Sequence, residues 1–116
     1  MKLKDGLYHY KIFMPNIKIP NTQITLIYSN HAINASKNDR YGQILLPKTI
    51  NPNAGKLIEL EIKNNVIQKI VLRFKYSKDL DLIIVIGFNK IVKTVWLNKC
   101  EDNHSTLNYN NYVKCA

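Results

Sequence analysis

The sequence lacks several features that would place it in a large class of proteins. It holds two cysteines, Cys100 and Cys115, in 116 residues, which is too few for a disulfide framework or a four-ligand zinc site. No apolar run approaches the ~20 residues of a membrane-spanning helix. The first residues also lack the apolar stretch of a signal peptide. These absences favour a reduced chain in the cytoplasm with no membrane contact, and they leave open whether the two cysteines pair.

Motifs with a defined chemistry are also missing. The chain has no Gly-rich phosphate loop, no GxSxG, no HExxH and no zinc-ligand spacing. Nucleotide hydrolysis, serine hydrolysis and metalloprotease chemistry are therefore disfavoured. Its three histidines are scattered along the chain, so we expect neither a metal nor another cofactor.

Acidic residues are scarce, with 8 Asp and Glu against 17 Lys and Arg, for a net charge of +9. Both halves of the chain are net positive, so no basic tail is indicated. A folded basic surface attracts polyanions, and nucleic acid is the commonest such partner. The alternative is compositional: Lys, Asn and Ile are all abundant, which an AT-rich genome produces in any protein. A small chain of such AT-rich composition would also be typical of a viral genome.

The pattern predicts one domain with an extended arm over 1–22, a core over 23–98 and a polar tail over 99–116 packed on that core. In the core, Gln23–Ser29 alternates as a strand does. A short helix over His31–Tyr41 follows, capped by Ser29 or Asn30 and ended by Gly42.

Four further segments have the length and alternation of strands, joined by three short connections. They are Leu57–Lys63, Gln68–Tyr76, Leu80–Gly87 and Ile91–Leu97. Asn64 and Asn65 suit the positive dihedral angles of a tight hairpin turn. The expected fold is α+β, with a short N-terminal helix packed on a four-stranded antiparallel meander sheet.

His31 is the first candidate for chemistry. At the first turn of the helix, the positive helix end disfavours the imidazolium, and a neutral imidazole suits a general base. The alternative is a histidine that only packs there. On the predicted strand Gln68–Tyr76, Lys69, Arg73 and Lys75 share a face that could hold phosphates or simply be solvated.

A second group of candidates lies further along the chain. Thr94 and Trp96 are expected on one face of the last strand with Val92, where Trp96, helped by Tyr76, could stack a base or belong to the core. His104 could act as a second acid, although its neighbours are also typical of a turn.

The order of these features resembles the barnase–EndoU–colicin–RelE group of small ribonucleases and toxins. The residues that carry the resemblance are Tyr28–Ala32, Asp39–Gly42 and Lys93–Trp96. The resemblance implies that His31 is the base, that Arg40 or Arg73 clamps the phosphate and that Thr94 donates a hydrogen bond to it. It also implies cleavage without a metal.

Two functions follow as hypotheses. The first is a metal-independent endoribonuclease of toxin type that cleaves RNA by 2′-OH transesterification, with a cognate inhibitor as a further partner. His31, Arg73, Thr94 and His104 would be catalytic, and the residues expected to bind RNA are Arg40, Lys69, Lys75, Tyr76, Lys93 and Trp96. The second is a non-catalytic, virus-encoded accessory protein in the host cytoplasm that binds nucleic acid or a host protein with the same surface.

Overall fold

The computed structural model describes residues 3–102 and 109–114. Its strands are β1 (Gly6–His9), β2 (Ile24–Thr25), β3 (Ile27–Tyr28), β4 (Thr49–Ile50), β5 (Lys56–Lys63), β6 (Val66–Lys75), β7 (Leu80–Gly87) and β8 (Ile91–Lys99), and its helix is α1 (Asn30–Lys37). Short 3-10 turns lie at Pro52–Ala54 and Tyr109–Asn111.

The four antiparallel strands β5 to β8 form the centre of the sheet, as their alternation predicts. The turn between β5 and β6 consists of Asn64 and Asn65, whose φ angles of 53° and 63° are those of the tight hairpin that the dipeptide favours. The α+β class is therefore confirmed.

The prediction of a four-stranded sheet under an N-terminal helix is wrong in two respects. The main sheet has six strands in the order β1-β5-β6-β7-β8-β3, and a second sheet pairs β2 with β4. β1 is antiparallel to β5, whereas β3 is parallel to β8. The helix lies after three strands, in the middle of the chain order. β1 has four residues, too few for a periodic pattern, and pairing with the distant β5 fixes it. The predicted strand Gln23–Ser29 is divided into β2, which pairs with β4, and β3, which pairs with β8.

Helix α1 begins as its sequence predicts and ends earlier. The Ser29 side chain accepts a hydrogen bond from the Ala32 N–H, which satisfies one of the unpaired donors of the first turn. The helix ends at Lys37, before the predicted Gly42. The reason lies in Asp39, whose Oδ1 accepts from the Leu97 N–H on β8 at 3.1 Å and so draws the chain back to the sheet.

The two faces of the sheet are covered differently. On the helix face, the buried side chain of Ala32 packs in one cluster with Leu72, Ile84 and Leu97. The opposite face carries a smaller cluster, whose buried members are Ile58, Val71, Ile83 and Val85, with Tyr10 and Trp96 packed against it. Near β1, a third cluster is built on Tyr8, Leu60 and Ile62.

Irregularities in strand pairing interrupt the alternation of side chains. Val85 pairs with Thr94 but Ile86 pairs with Val92, so Lys93 is an extra residue in β8. The expectation that Val92 shares a face with Thr94 is therefore wrong, because the bulge returns Val92 to the helix face, where it is buried. A second shift, between Glu61 and Ile62, leaves Gln68 as an extra residue in β6.

The arm and the tail predicted at the chain ends meet at one edge of the main sheet. The Val113 N–H donates to the Leu7 carbonyl at 2.8 Å, and Tyr112 bridges Leu7 in parallel. The segment predicted as an arm thus contributes a strand, and the end of the tail pairs with it. Within the described residues, none of the helices has the length and apolar character needed to cross a membrane.

Candidate functional site

A cavity of about 650 Å³ lies at one end of the main sheet. It is formed where β1 and β6 begin, where β5 and β7 end, and beside the first residues of β8. Its lining residues are Asp5, Gly6, Leu7, Glu61, Ile62, Lys63, Gln68, Phe88, Asn89 and Lys93. Its size is typical of small-molecule sites, but its lining is more polar than theirs usually is.

Two strand bulges shape this cavity, which we call the bulge pocket. Gln68 and Lys93 are the extra residues of β6 and β8, and both line it. Between them in the sheet stands Gly87, and a Cβ placed on Gly87 would lie 3.0 Å from Cε of Lys93. The absence of a side chain at Gly87 therefore leaves room for the Lys93 stem. Bulges re-aim side chains in this way next to functional sites.

The side chains of the bulge pocket are available to a ligand. Phe88, at its mouth, is 68% exposed. Among the described residues, the side chains of Glu61, Lys63 and Gln68 have no hydrogen-bond or ion-pair partner. The pocket thus combines an exposed ring, two amides, two carboxylates and two ammonium groups. Lys93 is the second ammonium group, and Asp5, which accepts from the Asn64 N–H, is the second carboxylate. These groups can stack on a flat ligand, hydrogen-bond its edge and neutralise an attached anion.

Arg73, the predicted phosphate clamp, is engaged within the protein. It is 9% exposed. Its Nε donates to Oδ2 of Asp81 at 2.7 Å, and its Nη1 and Nη2 donate to the carbonyl oxygens of Asp102 and Lys99 at 2.7 and 2.8 Å. The guanidinium thereby attaches residues 99–102 to the sheet, at the start of the C-terminal segment, by which we mean the chain after β8. This use of its donors explains the burial of a charged residue.

The ion pair extends to Cys100 and Lys75. Burial raises the pKa of the Asp81 carboxyl, but hydrogen bonds from Arg73 and Cys100 outweigh burial and hold that pKa below its ordinary value. Lys75 donates to the Lys78 carbonyl at 2.9 Å and lies 3.1 Å from Sγ of Cys100. The contact with Cys100 is the main reason that the pKa of Lys75 is raised. Lys75 is thus exposed yet has partners within the chain. The other predicted cysteine, Cys115, lies outside the described residues.

The structure does not bring the predicted catalytic residues together. His31 is exposed in the first turn of α1, and that helix packs on the helix face. Thr94 pairs with Val85, whose side chain lies on the opposite face of the sheet. Arg73 is on that face too, because it pairs with Ile83 of the same cluster. The sheet therefore separates His31 from Arg73 and Thr94. The fourth predicted member, His104, lies outside the described residues.

The residues predicted to bind RNA are spread over several parts of the molecule. Tyr76 packs on the helix face, and its hydroxyl accepts from the Leu45 N–H at 2.9 Å. Trp96 is half-buried against the cluster of the opposite face. The two rings therefore cannot form one stacking platform, because the Tyr76 ring lies on one face of the sheet and the Trp96 ring lies on the other.

The basic members of the predicted set have different surroundings. Lys69 forms an ion pair with Glu59 at 3.0 Å. Arg40 lies 4.8 Å above the Tyr41 ring and donates to Oδ1 of Asn98 at 3.4 Å, so it covers the outer edge of β8. Of the predicted RNA-binding residues, Lys93 lines the bulge pocket.

Sequence reasoning missed His9, which the structure buries to 1% exposure. Its ring stacks on Tyr10 at 4.9 Å and meets Tyr112 edge-on at 5.3 Å, and Nδ1 accepts from the Lys11 N–H at 3.2 Å. Burial lowers the pKa of His9, opposed by the Glu59 carboxylate and assisted by Lys11 and Lys56. The aromatic run Tyr8-His9-Tyr10 was the available signal, in a segment that its prolines mark as an arm.

Tyr112 connects His9 to the ion pair between Glu59 and Lys69 on β5 and β6. Its hydroxyl donates to Oε1 of Glu59 at 2.7 Å, and burial together with that carboxylate raises the pKa of Tyr112 to about 12. Glu59 thus accepts from Tyr112 and pairs with Lys69 at once. The cluster fixes the C-terminal segment on β1 and β5, which is a structural role.

Neither a metal site nor a similarity to known proteins points to a function for this chain. Across residues 3–102 and 109–114, no three His, Cys, Asp or Glu side chains converge as metal ligands would. No family model, no curated protein and no solved structure matches the sequence or its fold. The resemblance to small ribonucleases therefore stays a prediction.

Proposed function

We propose that this chain is an RNA-binding protein that holds an unpaired nucleotide of a single strand in the bulge pocket. The observation that carries the proposal is the pocket itself, in which two strand bulges aim Gln68 and Lys93 into a polar cavity beside the exposed Phe88. Single-stranded RNA is recognised by stacking of splayed bases on aromatic rings and by hydrogen bonds to base edges. Each requirement has a matching group here.

Charge supports the same function. Lys63 and Lys93 stand in the pocket lining, where they can neutralise the phosphates that flank the bound base. Glu61 is a hydrogen-bond acceptor for the exocyclic amino groups of a base, and the Gln68 amide both donates and accepts. The net charge of +9 attracts the strand from a distance.

Binding without cleavage is the form of this function that the geometry supports best. Transesterification needs a base, a phosphate clamp and an acid around one phosphate. His31 and Arg73 lie on different sides of the sheet, and the guanidinium already serves Asp81 and two carbonyl groups. Cleavage is retained as an outcome of the experiment.

The test is a titration of a short fluorescent single-stranded RNA, followed by anisotropy at low and moderate salt. Phe88→Ala should weaken binding by about 1–3 kcal/mol, the usual contribution of one base–aromatic stack. Leu45→Ala is the matched control, because Leu45 is 80% exposed and lies at the other end of β6, beside Tyr76. Equal affinities of the two variants would exclude the bulge pocket as the site.

The salt dependence tests the two lysines separately. Lys63→Gln and Lys93→Gln should each reduce the slope of log K against log salt by about 0.7, as the loss of one phosphate contact on a single strand does. Lys48→Gln, an exposed lysine outside the pocket, should leave the slope unchanged if its charge acts only at long range. A fully paired duplex of the same sequence should bind more weakly than the single strand, since its bases cannot enter the pocket.

The same samples decide between binding and cleavage. After incubation with EDTA near neutral pH, the RNA should remain intact on a denaturing gel. If it is cut, and if His31→Ala abolishes the cutting while binding persists, the protein is a metal-independent endoribonuclease and the non-catalytic form of the proposal is wrong.

A further inference from the structure

A second cavity, of about 310 Å³, lies on the helix face at the same end of the sheet. Segment 18–24 and Pro52 border it on one side and the ends of β6 and β7 on the other. Its apolar lining comprises Ile19, Ile24, Ile67, Ile70, Ile86 and Phe88. We call it the isoleucine groove. Ile86 at its base is 5% exposed, while Ile24, Ile67 and Ile70 are half-buried. The isoleucine surface is therefore mostly covered, whereas the Phe88 ring is exposed.

Charge in the isoleucine groove has one sign. Lys18 and Lys90 are the charged residues of its described lining, both exposed, and no carboxylate accompanies them. Among the described residues, neither ammonium group has a hydrogen-bond or ion-pair partner. An apolar trough with two free cations at its rim is complementary to a molecule that has an alkyl chain and an anionic head.

We infer that the isoleucine groove binds a free, medium-chain amphiphile with a carboxylate head group. The alkyl chain would lie on Ile67, Ile70 and Ile86, and the carboxylate would lie between Lys18 and Lys90. Because the isoleucines are buried or half-buried, a single alkyl chain that enters the groove can contact them, whereas a flat bilayer surface would meet mainly the exposed Phe88 ring. This inference is independent of the proposed RNA site, whose lining has Phe88 alone in common with the groove.

The chain length of the ligand gives the first test, by calorimetry with octanoate and decanoate below their micelle concentrations. Each buried methylene contributes about 0.8 kcal/mol, so decanoate should bind roughly 15-fold more tightly than octanoate. Decyltrimethylammonium has an alkyl chain of similar length with a cationic head, and it should bind far more weakly than decanoate. Equal binding of decanoate and decyltrimethylammonium would overturn the assigned head group, and absence of decanoate binding would overturn the inference as a whole.

Variants that leave Phe88 in place give the second test. The double variant Lys18→Glu/Lys90→Glu should lower the affinity for decanoate at least 10-fold, whereas Lys48→Glu, outside the groove, should change that affinity little. Ile67→Trp should block the chain by filling the groove, and it keeps the test informative if the charge variant folds poorly. Both groove variants should retain RNA affinity near that of Lys48→Glu at raised salt. Binding to anionic vesicles without binding to free decanoate would show a membrane-surface role and contradict this ligand.

Discussion

The guanidinium of Arg73 donates through Nε to Oδ2 of Asp81 at 2.7 Å, from one central strand to the next. The side chains of the pair are 8% and 16% exposed. Because the two other donor groups of Arg73 hold the carbonyls of Lys99 and Asp102, this pair also attaches the C-terminal segment. The sequence marks Arg73 as unusual in a lysine-rich chain, and the structure gives the reason: the planar guanidinium serves three acceptors at once.

Removal of the arginine should therefore destabilise the fold. Arg73→Met keeps most of the side-chain volume but leaves the half-buried Asp81 carboxylate without its charged partner, and we expect a loss of about 3 kcal/mol in the free energy of unfolding. Urea denaturation measures it. Lys69→Met breaks the more exposed pair with Glu59 and should cost below about 1 kcal/mol. Similar losses in both variants would contradict the structural role assigned to Arg73.

Stability should fall as the solution becomes mildly acidic, because His9 is buried. Burial lowers the pKa of His9 in the folded chain below the value of 6.5 that it has when unfolded. The unfolded state therefore binds a proton first, and the contribution of neutral His9, complete above pH 6.5, is lost as the pH falls through 6.5 toward the folded pKa. Glu59 opposes this effect, whereas Lys11 and Lys56 reinforce it.

Urea midpoints measured across this pH range check the expectation. His9→Phe preserves an aromatic ring between Tyr10 and Tyr112 and cannot titrate, so the part of the pH dependence that His9 causes should disappear. A variant that retains the whole acid-side loss of the natural chain would show that other groups are responsible.

Two glycines with positive φ angles form a matched pair for a third prediction. Gly6 has φ +143°, and a Cβ there would lie 2.8 Å from Cγ2 of Val113; Gly42 has φ +112° and open space around it. Both alanine variants strain the backbone, by about 1–3 kcal/mol. Gly6→Ala additionally pushes against Val113, so it should unfold at lower urea and release the C-terminal segment to protease earlier than Gly42→Ala. If Gly42→Ala is the more damaging of the two, the contact with Val113 does not hold the segment.

The sequence predicts the elements whose signal is local. Leu80–Gly87 is predicted with its observed bounds because eight residues, nearly all apolar, specify a central strand by themselves. Ser29 is a cap and Asn64–Asn65 is a turn for reasons contained in a few neighbouring residues. β1 escapes prediction because Gly6–His9 is a strand only when β5 lies beside it.

The site depends on register, which single-strand patterns do not encode. Strict alternation predicts that Lys69, Arg73 and Lys75 form one cationic stripe, but partners on other elements engage each of the three. The bulge pocket arises from two extra residues, Gln68 and Lys93, that alternation treats as ordinary members of their strands. His31 lies at the helix start, as the sequence predicts, but the side of the sheet that the helix covers follows from packing.

Pairing of Val113 with Leu7 has a consequence for the way the chain is made. β1 leaves the ribosome before both of its neighbours: β5 is some fifty residues further along, and Val113 is made later still. One edge of this strand therefore stays bare until β5 is synthesised, and the other edge stays bare until Val113 follows. A nascent chain thus carries β1 as an unpaired strand while most of the sheet is still being made.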